Sequence, residues 1–167
     1  MSSEDGPAKK RQRHSGPIVV LTVGKNAQAF NVHSEYLRDH SPVFNNLLEH
    51  SWIKKVVHEI DLPDDCVDVV GTYVDWLYNR TLGFHLETSL TGTTSPDHNL
   101  FVALYCFGQR VQSDAFCDII LSYMLQYSQK YDLWPSPHVV KAAYAGTIAG
   151  RPLRDCLIEI YADKMTK

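Results

Sequence analysis

Residues 1–17 contain Gly, Pro and polar residues, with almost nothing to bury. That composition does not offset the entropy of ordering, so it predicts a disordered tail. The first apolar block, Ile18-Val19-Val20-Leu21-Thr22-Val23, is β-branched and predicts a buried strand. Gly24-Lys25-Asn26 supplies turn chemistry. Ala27 to Val32 then alternates, with Phe30 and Val32 on one face, and completes a hairpin. Val56 to Leu62 also alternates and predicts a third strand, with Val56, His58, Ile60 and Leu62 sharing a face. Pro63 ends it.

The remaining periodicity is helical. Ser34 is the expected cap of a short helix reaching Asp39, with Leu37 inward. Ser41-Pro42 starts a second, carrying Val43, Phe44, Leu47 and Leu48 and fading near His50. Asp64 or Asp65 is the expected cap of a third, with Val67, Val70, Val74 and Leu77 as its stripe, flanked by Tyr73 and Trp76. Pro96-Asp97 opens a fourth with Leu100, Leu104, Phe107 and Val111 inward. Ser113-Asp114 opens a fifth with Phe116, Ile120, Met124 and Tyr127. After Trp134-Pro135-Ser136-Pro137 a sixth uses Val140, Ala143, Tyr144 and Thr147. Pro152 opens a seventh with Leu153, Leu157, Ile160 and Tyr161. Strands early and helices afterwards predict an α+β fold: a small three-stranded sheet with a cluster of helices. Residues 85–96 form the longest loop, and six of the eight residues from Thr88 to Ser95 are Ser or Thr. That is the composition of a tolerated surface insertion.

With 167 residues, one domain is expected. Charge adds a contrast. Residues 1–17 hold four basic and two acidic residues, net +2, and the body holds 12 basic and 17 acidic, net −5. An acidic body is a poor footprint for nucleic acid, so direct nucleic-acid binding by the folded part is not expected. Lys10, Arg11 and Arg13 have the shape of a short basic import signal, which predicts the nucleus, the cytoplasm or both. No apolar run approaches the length of a membrane span, so no membrane is expected.

Chemistry is sparse. Cys66, Cys106, Cys117 and Cys156 lack zinc-ligand spacing and fall on or beside apolar helical faces, where they read as small core hydrophobes. The eight histidines show no H-E-x-x-H pattern. A G-x-S-x-G elbow and the Gly-rich phosphate loops are missing from the sequence. No cofactor, metal or catalytic residue is expected, which favours a binding module over an enzyme.

Residues 30–44, running from Phe30-Asn31-Val32-His33 through Leu37 and Ser41 to Phe44, resemble the F-x-V/A-H-x-x-x-L-x-x-x-S-x-x-F signature of the BTB/POZ fold. Three further stretches are similar in order. Ile18 to Gly24 resembles the opening strand, and Ile60 to Asp65 followed by Val74-Asp75-Trp76-Leu77-Tyr78-Asn79 resembles the third strand and the W-L-Y helix. Leu104 to Arg110 resembles a later family helix. Composition predicts a disordered basic tail at 1–17, and the resemblance implies a BTB/POZ domain over 18–130 and a C-terminal helical extension over 131–167. Around Thr147 to Arg154 that extension is similar to one found in fungal BTB proteins. In this reading His33, Leu37, Ser41 and Phe44 hold the fold.

The family implies protein partners, with homodimers or hetero-BTB pairs acting as adaptors. Transcription-factor-type dimers carry an aspartate and a basic residue where this chain has Ile18 and Ser34, so their charged pocket is missing. Ser34, Tyr36 and Leu37 are the expected dimer face, with Tyr36 the anchor and no strand exchange. Cullin adaptors carry an apolar-x-Glu motif, and the matching stretch is Trp52, Ile53 and Lys54, where a base replaces the acid. The expected function is a self-associating scaffold in nuclear or transcriptional regulation. The alternative is a substrate-adaptor subunit of a cullin-type ubiquitin ligase.

Overall fold

The computed structural model describes residues 16–52, 59–82 and 97–165. Strand β1 (Ile18–Val23) lies at the centre of a three-stranded sheet. Strand β2 (Gln28–His33) pairs antiparallel to it, with Ile18 opposite His33 and Val23 opposite Gln28. The turn between them uses left-handed backbone at Gly24 (φ 70°) and Ala27 (φ 52°), and the Ala27 amide donates to the Gly24 carbonyl at 3.1 Å. Strand β3 (Glu59–Leu62) runs parallel to β1 on its other side. A parallel neighbour needs a long crossover, which carries helices α1 (Ser34–His40) and α2 (Pro42–Trp52). The alternation of β1 is a true inside-outside pattern: Val19, Leu21 and Val23 are fully buried, while Ile18 is 55% exposed.

Helices α3 (Val67–Asn79), α4 (His98–Arg110) and α5 (Asp114–Tyr131) follow, then α6 (Pro137–Gly146) and α7 (Pro152–Met165). The fold is the expected α+β arrangement: a three-stranded mixed sheet with seven helices among the described residues. Its centre is aromatic. Tyr73 on α3 stacks on Trp76 at 5.8 Å and meets Phe107 of α4 at 5.2 Å and Phe116 of α5 at 5.0 Å, with Phe44 of α2 at 6.3 Å. Such offset and edge-on pairs are the geometry aromatic quadrupoles prefer. Helices α4 and α5 approach closely at Gly108, where a Cβ would lie 2.8 Å from the Cys117 sulfur and 2.9 Å from the Phe116 ring. The C-terminal pair packs back on this unit, α6 against α4 and α7 against α5.

Several boundaries differ from the sequence expectations, for local reasons. The N-cap of α1 is His33, so Ser34 is a buried helical residue rather than the cap. Cys66, not Asp64 or Asp65, precedes α3 and makes no side-chain cap bond. Asp65 is instead taken by Arg110. The α3 stripe begins at Val69 and Val70, and Val67, the first residue of the helix, is exposed. The α4 core face is wider than a single stripe, since Phe101 and Tyr105 are buried and Leu100 is only half-buried. On α6 Val139 is buried in preference to Val140, and Tyr144 is 44% exposed. The first half of the expected third strand, including Val56 and His58, and loop 85–96 lie outside the described residues.

Candidate interaction surfaces

The four residues of the 30–44 motif join elements far apart in sequence. His33 ends β2, and both its backbone N–H (3.0 Å) and its ring Nδ1 (2.8 Å) meet the Tyr78 hydroxyl near the end of α3. Leu37 is fully buried on α1. Ser41 caps α2 by accepting from the Phe44 amide at 3.1 Å, and its hydroxyl donates to the Val111 carbonyl at 2.5 Å, tying α2 to the end of α4. Phe44 is 1% exposed and joins the aromatic centre. These are supports of the fold, with no reactive geometry about them.

Of the three residues expected at a dimer face, only Tyr36 reaches the surface. Ser34 is 2% exposed and Leu37 0%, so neither is offered to a partner. The correction follows from helix phase: positions 34 and 37 are three apart and share the inward face. Tyr36 is half-buried, its ring 4.6 Å from Tyr78 and 6.2 Å from His33. Large apolar side chains on the same half of the chain are exposed at Ile18 (55%) on β1 and Leu47 (49%) on α2. Trp52 closes α2, while Ile53 and Lys54 lie outside the described residues. Lys10, Arg11 and Arg13 also lie outside them.

The titratable groups that depart from ordinary behaviour are structural. Burial pushes the Tyr73 phenol up to about 12, against a smaller downward effect of the neighbouring Ser113 hydroxyl. Burial pushes the Cys117 thiol up to about 12 and the Cys156 thiol to about 11, and raises Cys106. Thiols held protonated this way are poor nucleophiles. Cys66 departs from the expected core placement and is exposed before α3. No group of His, Cys, Asp or Glu arranged to hold a metal occurs among the described residues. Among them no helix is long and apolar enough to cross a membrane.

Sequence periodicity missed a sizeable cleft, which lies between the start of α3, the C-terminal half of α4 and the α6–α7 turn. Its charged residues Asp65, Arg110 and Arg151 are far apart in sequence and carry no common motif, so only the fold brings them to one place. It also missed Arg154 as a clamp. The Arg154 side chain donates to the Tyr144 and Thr147 carbonyls and to the Thr147 hydroxyl, closing the α6–α7 turn.

The molecule is a mixed sheet packed against helices, with motif residues that support the fold and apolar side chains exposed on several elements. The BTB/POZ domain model matches residues 10–98, more than half of the chain, and the chain belongs to that family of protein–protein interaction domains. That match ends at the first residue of α4. None of the curated proteins matches the chain.

Proposed function

We propose that this chain is a self-associating BTB/POZ scaffold that binds a partner protein and acts by contact rather than catalysis. Membership in the family carries the reading. Ile18, Leu47 and the outer edge of Tyr36 supply the apolar surface for a homodimer or a hetero-BTB pair. Strand exchange is not part of the assembly, because residues 1–16 are too polar to add a strand. The BTB unit spans 18–130, with 131–167 a helical extension of the fungal type. The packing of α6 on α4 and α7 on α5 supports an extension docked on the domain. Lys10, Arg11 and Arg13 direct the scaffold to the nucleus, where regulation of transcription is its setting. No observation favours the cullin-adaptor alternative, since Ile53 and Lys54 fall outside the described residues.

Sedimentation at tens of micromolar tests the assembly. A dimer is expected, weakened by Tyr36→Ala and by Leu47→Asp and unchanged on deletion of residues 1–16. A monomeric wild type removes self-association from the reading. Imaging of a chain with Lys10, Arg11 and Arg13 changed to Ala tests import, and an unchanged distribution refutes it.

A further inference from the structure

The cleft against α3, α4 and the α6–α7 turn has a volume of about 580 Å³. Its floor is apolar, with Val69 and Phe107 buried beneath it, and Ile148 stands on its rim at 66% exposure. Two arginines line it, Arg110 on α4 and Arg151 in the turn before α7. Asp65 is the only acid among its lining residues, and one nitrogen of Arg110 already engages it. The Arg110 side chain nevertheless stays 54% exposed, and a guanidinium has five N–H donors in a fork that fits a carboxylate. The Arg151 guanidinium makes no hydrogen bond or ion pair among the described residues. The cleft therefore holds one surplus positive charge, on a body whose net charge is −5.

We propose that this cleft docks a peptide segment of a partner protein, with one carboxylate side chain held by Arg151 and the free donors of Arg110 and its aliphatic neighbours seated on Val69, Phe107 and Ile148. The proposal rests on the reading of the chain as an interaction module and names the chemistry of its partner. One surplus charge matches one carboxylate, whereas a phosphate dianion would leave a charge uncompensated beside Asp65. Apolar contacts supply the burial and the arginine pair the register, the usual division of labour at such interfaces.

The test uses the full chain and a library of acetylated, amidated ten-residue peptides with a central Glu flanked by Leu, Ile and Val. A matched library carries Gln at the centre. The Glu library is expected to yield binders, and their Gln counterparts to bind at least about tenfold more weakly. Arg151→Ala and Ile148→Asp each weaken the selected peptides by about tenfold or more, with melting unchanged because both side chains are exposed. Bound peptide also slows alkylation of Cys66, the exposed thiol on the cleft wall. Failure to enrich Glu peptides, binding that survives both substitutions, or a phosphoserine peptide outcompeting its Glu counterpart overturns the proposal. Sedimentation and peptide binding of the wild-type chain separate this outcome from self-association: a monomer that still binds Glu peptides refutes only the scaffold's assembly, and a dimer that binds none refutes only the cleft.

Discussion

The unit from β1 to α5 and the α6–α7 pair are held by different means. The first closes around an aromatic centre in which Tyr73, Phe44, Phe101, Tyr105 and Phe116 are all about 1% exposed or less. The second is half-finished as an apolar structure. Leu153, Leu157 and Ile160 are buried, yet Ile158 (59%), Ile148 (66%) and Met165 (88%) face outward. Its turn depends on polar bonds from Arg154, whose guanidinium also lies 4.4 Å from the centre of the Tyr144 ring. The contrast teaches that closing a core and presenting a surface are divided along the chain. Stability should respond to packing changes in the first unit and to polar changes at the turn of the second.

The largest expected effect is in the aromatic centre. Phe44→Ala should destabilise by about 3–5 kcal/mol, the usual range for removing a buried aromatic ring. That is a large part of the roughly 5–15 kcal/mol that holds a typical domain together. Chemical denaturation measures it, and a loss below about 1 kcal/mol would falsify the packing assigned to the motif.

Phe44 also shows what sequence could reveal. Its partners Leu48 and Ser41 lie within one or two turns of it, so periodicity and capping chemistry were enough to place it inside. The hairpin was legible for the same reason, as both strands and their turn are contiguous. The parallel pairing of β1 with β3 was not, because nothing in Glu59 to Leu62 states which strand it will join. Ser34 was misassigned as a surface residue because a small polar side chain carries no burial signal of its own. The Arg110–Asp65 pair was invisible because 45 positions separate its members. The identity of the family was legible through separated motifs, while the cleft depends on tertiary placement alone.

Two isoleucines on one helix sharpen the comparison within the C-terminal pair. Ile160 is 1% exposed and Ile158 59%. Ile160→Ala should destabilise by about 2–4 kcal/mol, and Ile158→Ala by less than about 0.5 kcal/mol. Equal losses in denaturant titrations would mean that α7 is rotated from the phase described. A smaller change is expected at the clamp. Arg154→Met keeps most of the aliphatic stem and removes the donors, and should destabilise by about 1–2 kcal/mol. Hydrogen exchange should rise first in α6 and the turn, with the α3 amides unaffected. Exchange rising uniformly over the chain would show that the two regions unfold as one.

The gentlest effect is a pH dependence seated in the first unit. His98 begins α4, is 7% exposed, and its Nε2 meets the Ser128 hydroxyl of α5 at 2.8 Å. Burial lowers its pKa from the ordinary 6.5, and the nearby Asp97 carboxylate opposes this only in part. The folded protein therefore takes up this proton at lower pH than the unfolded chain does. Stability is full above 6.5, falls as pH drops below that value, and reaches its floor once pH is under the folded pKa. His40 adds to the same trend, since burial and then Arg80 lower its pKa as well. His98→Gln keeps a donor and an acceptor near Ser128 but cannot titrate. Its stability should fall less than that of the wild type between about pH 8 and about pH 5, with His40 accounting for part of the slope that remains. Parallel curves for the two proteins, compared by urea denaturation at each pH, would mean that His98 is already solvated in the folded state and that the α4–α5 contact is looser than the aromatic centre beside it.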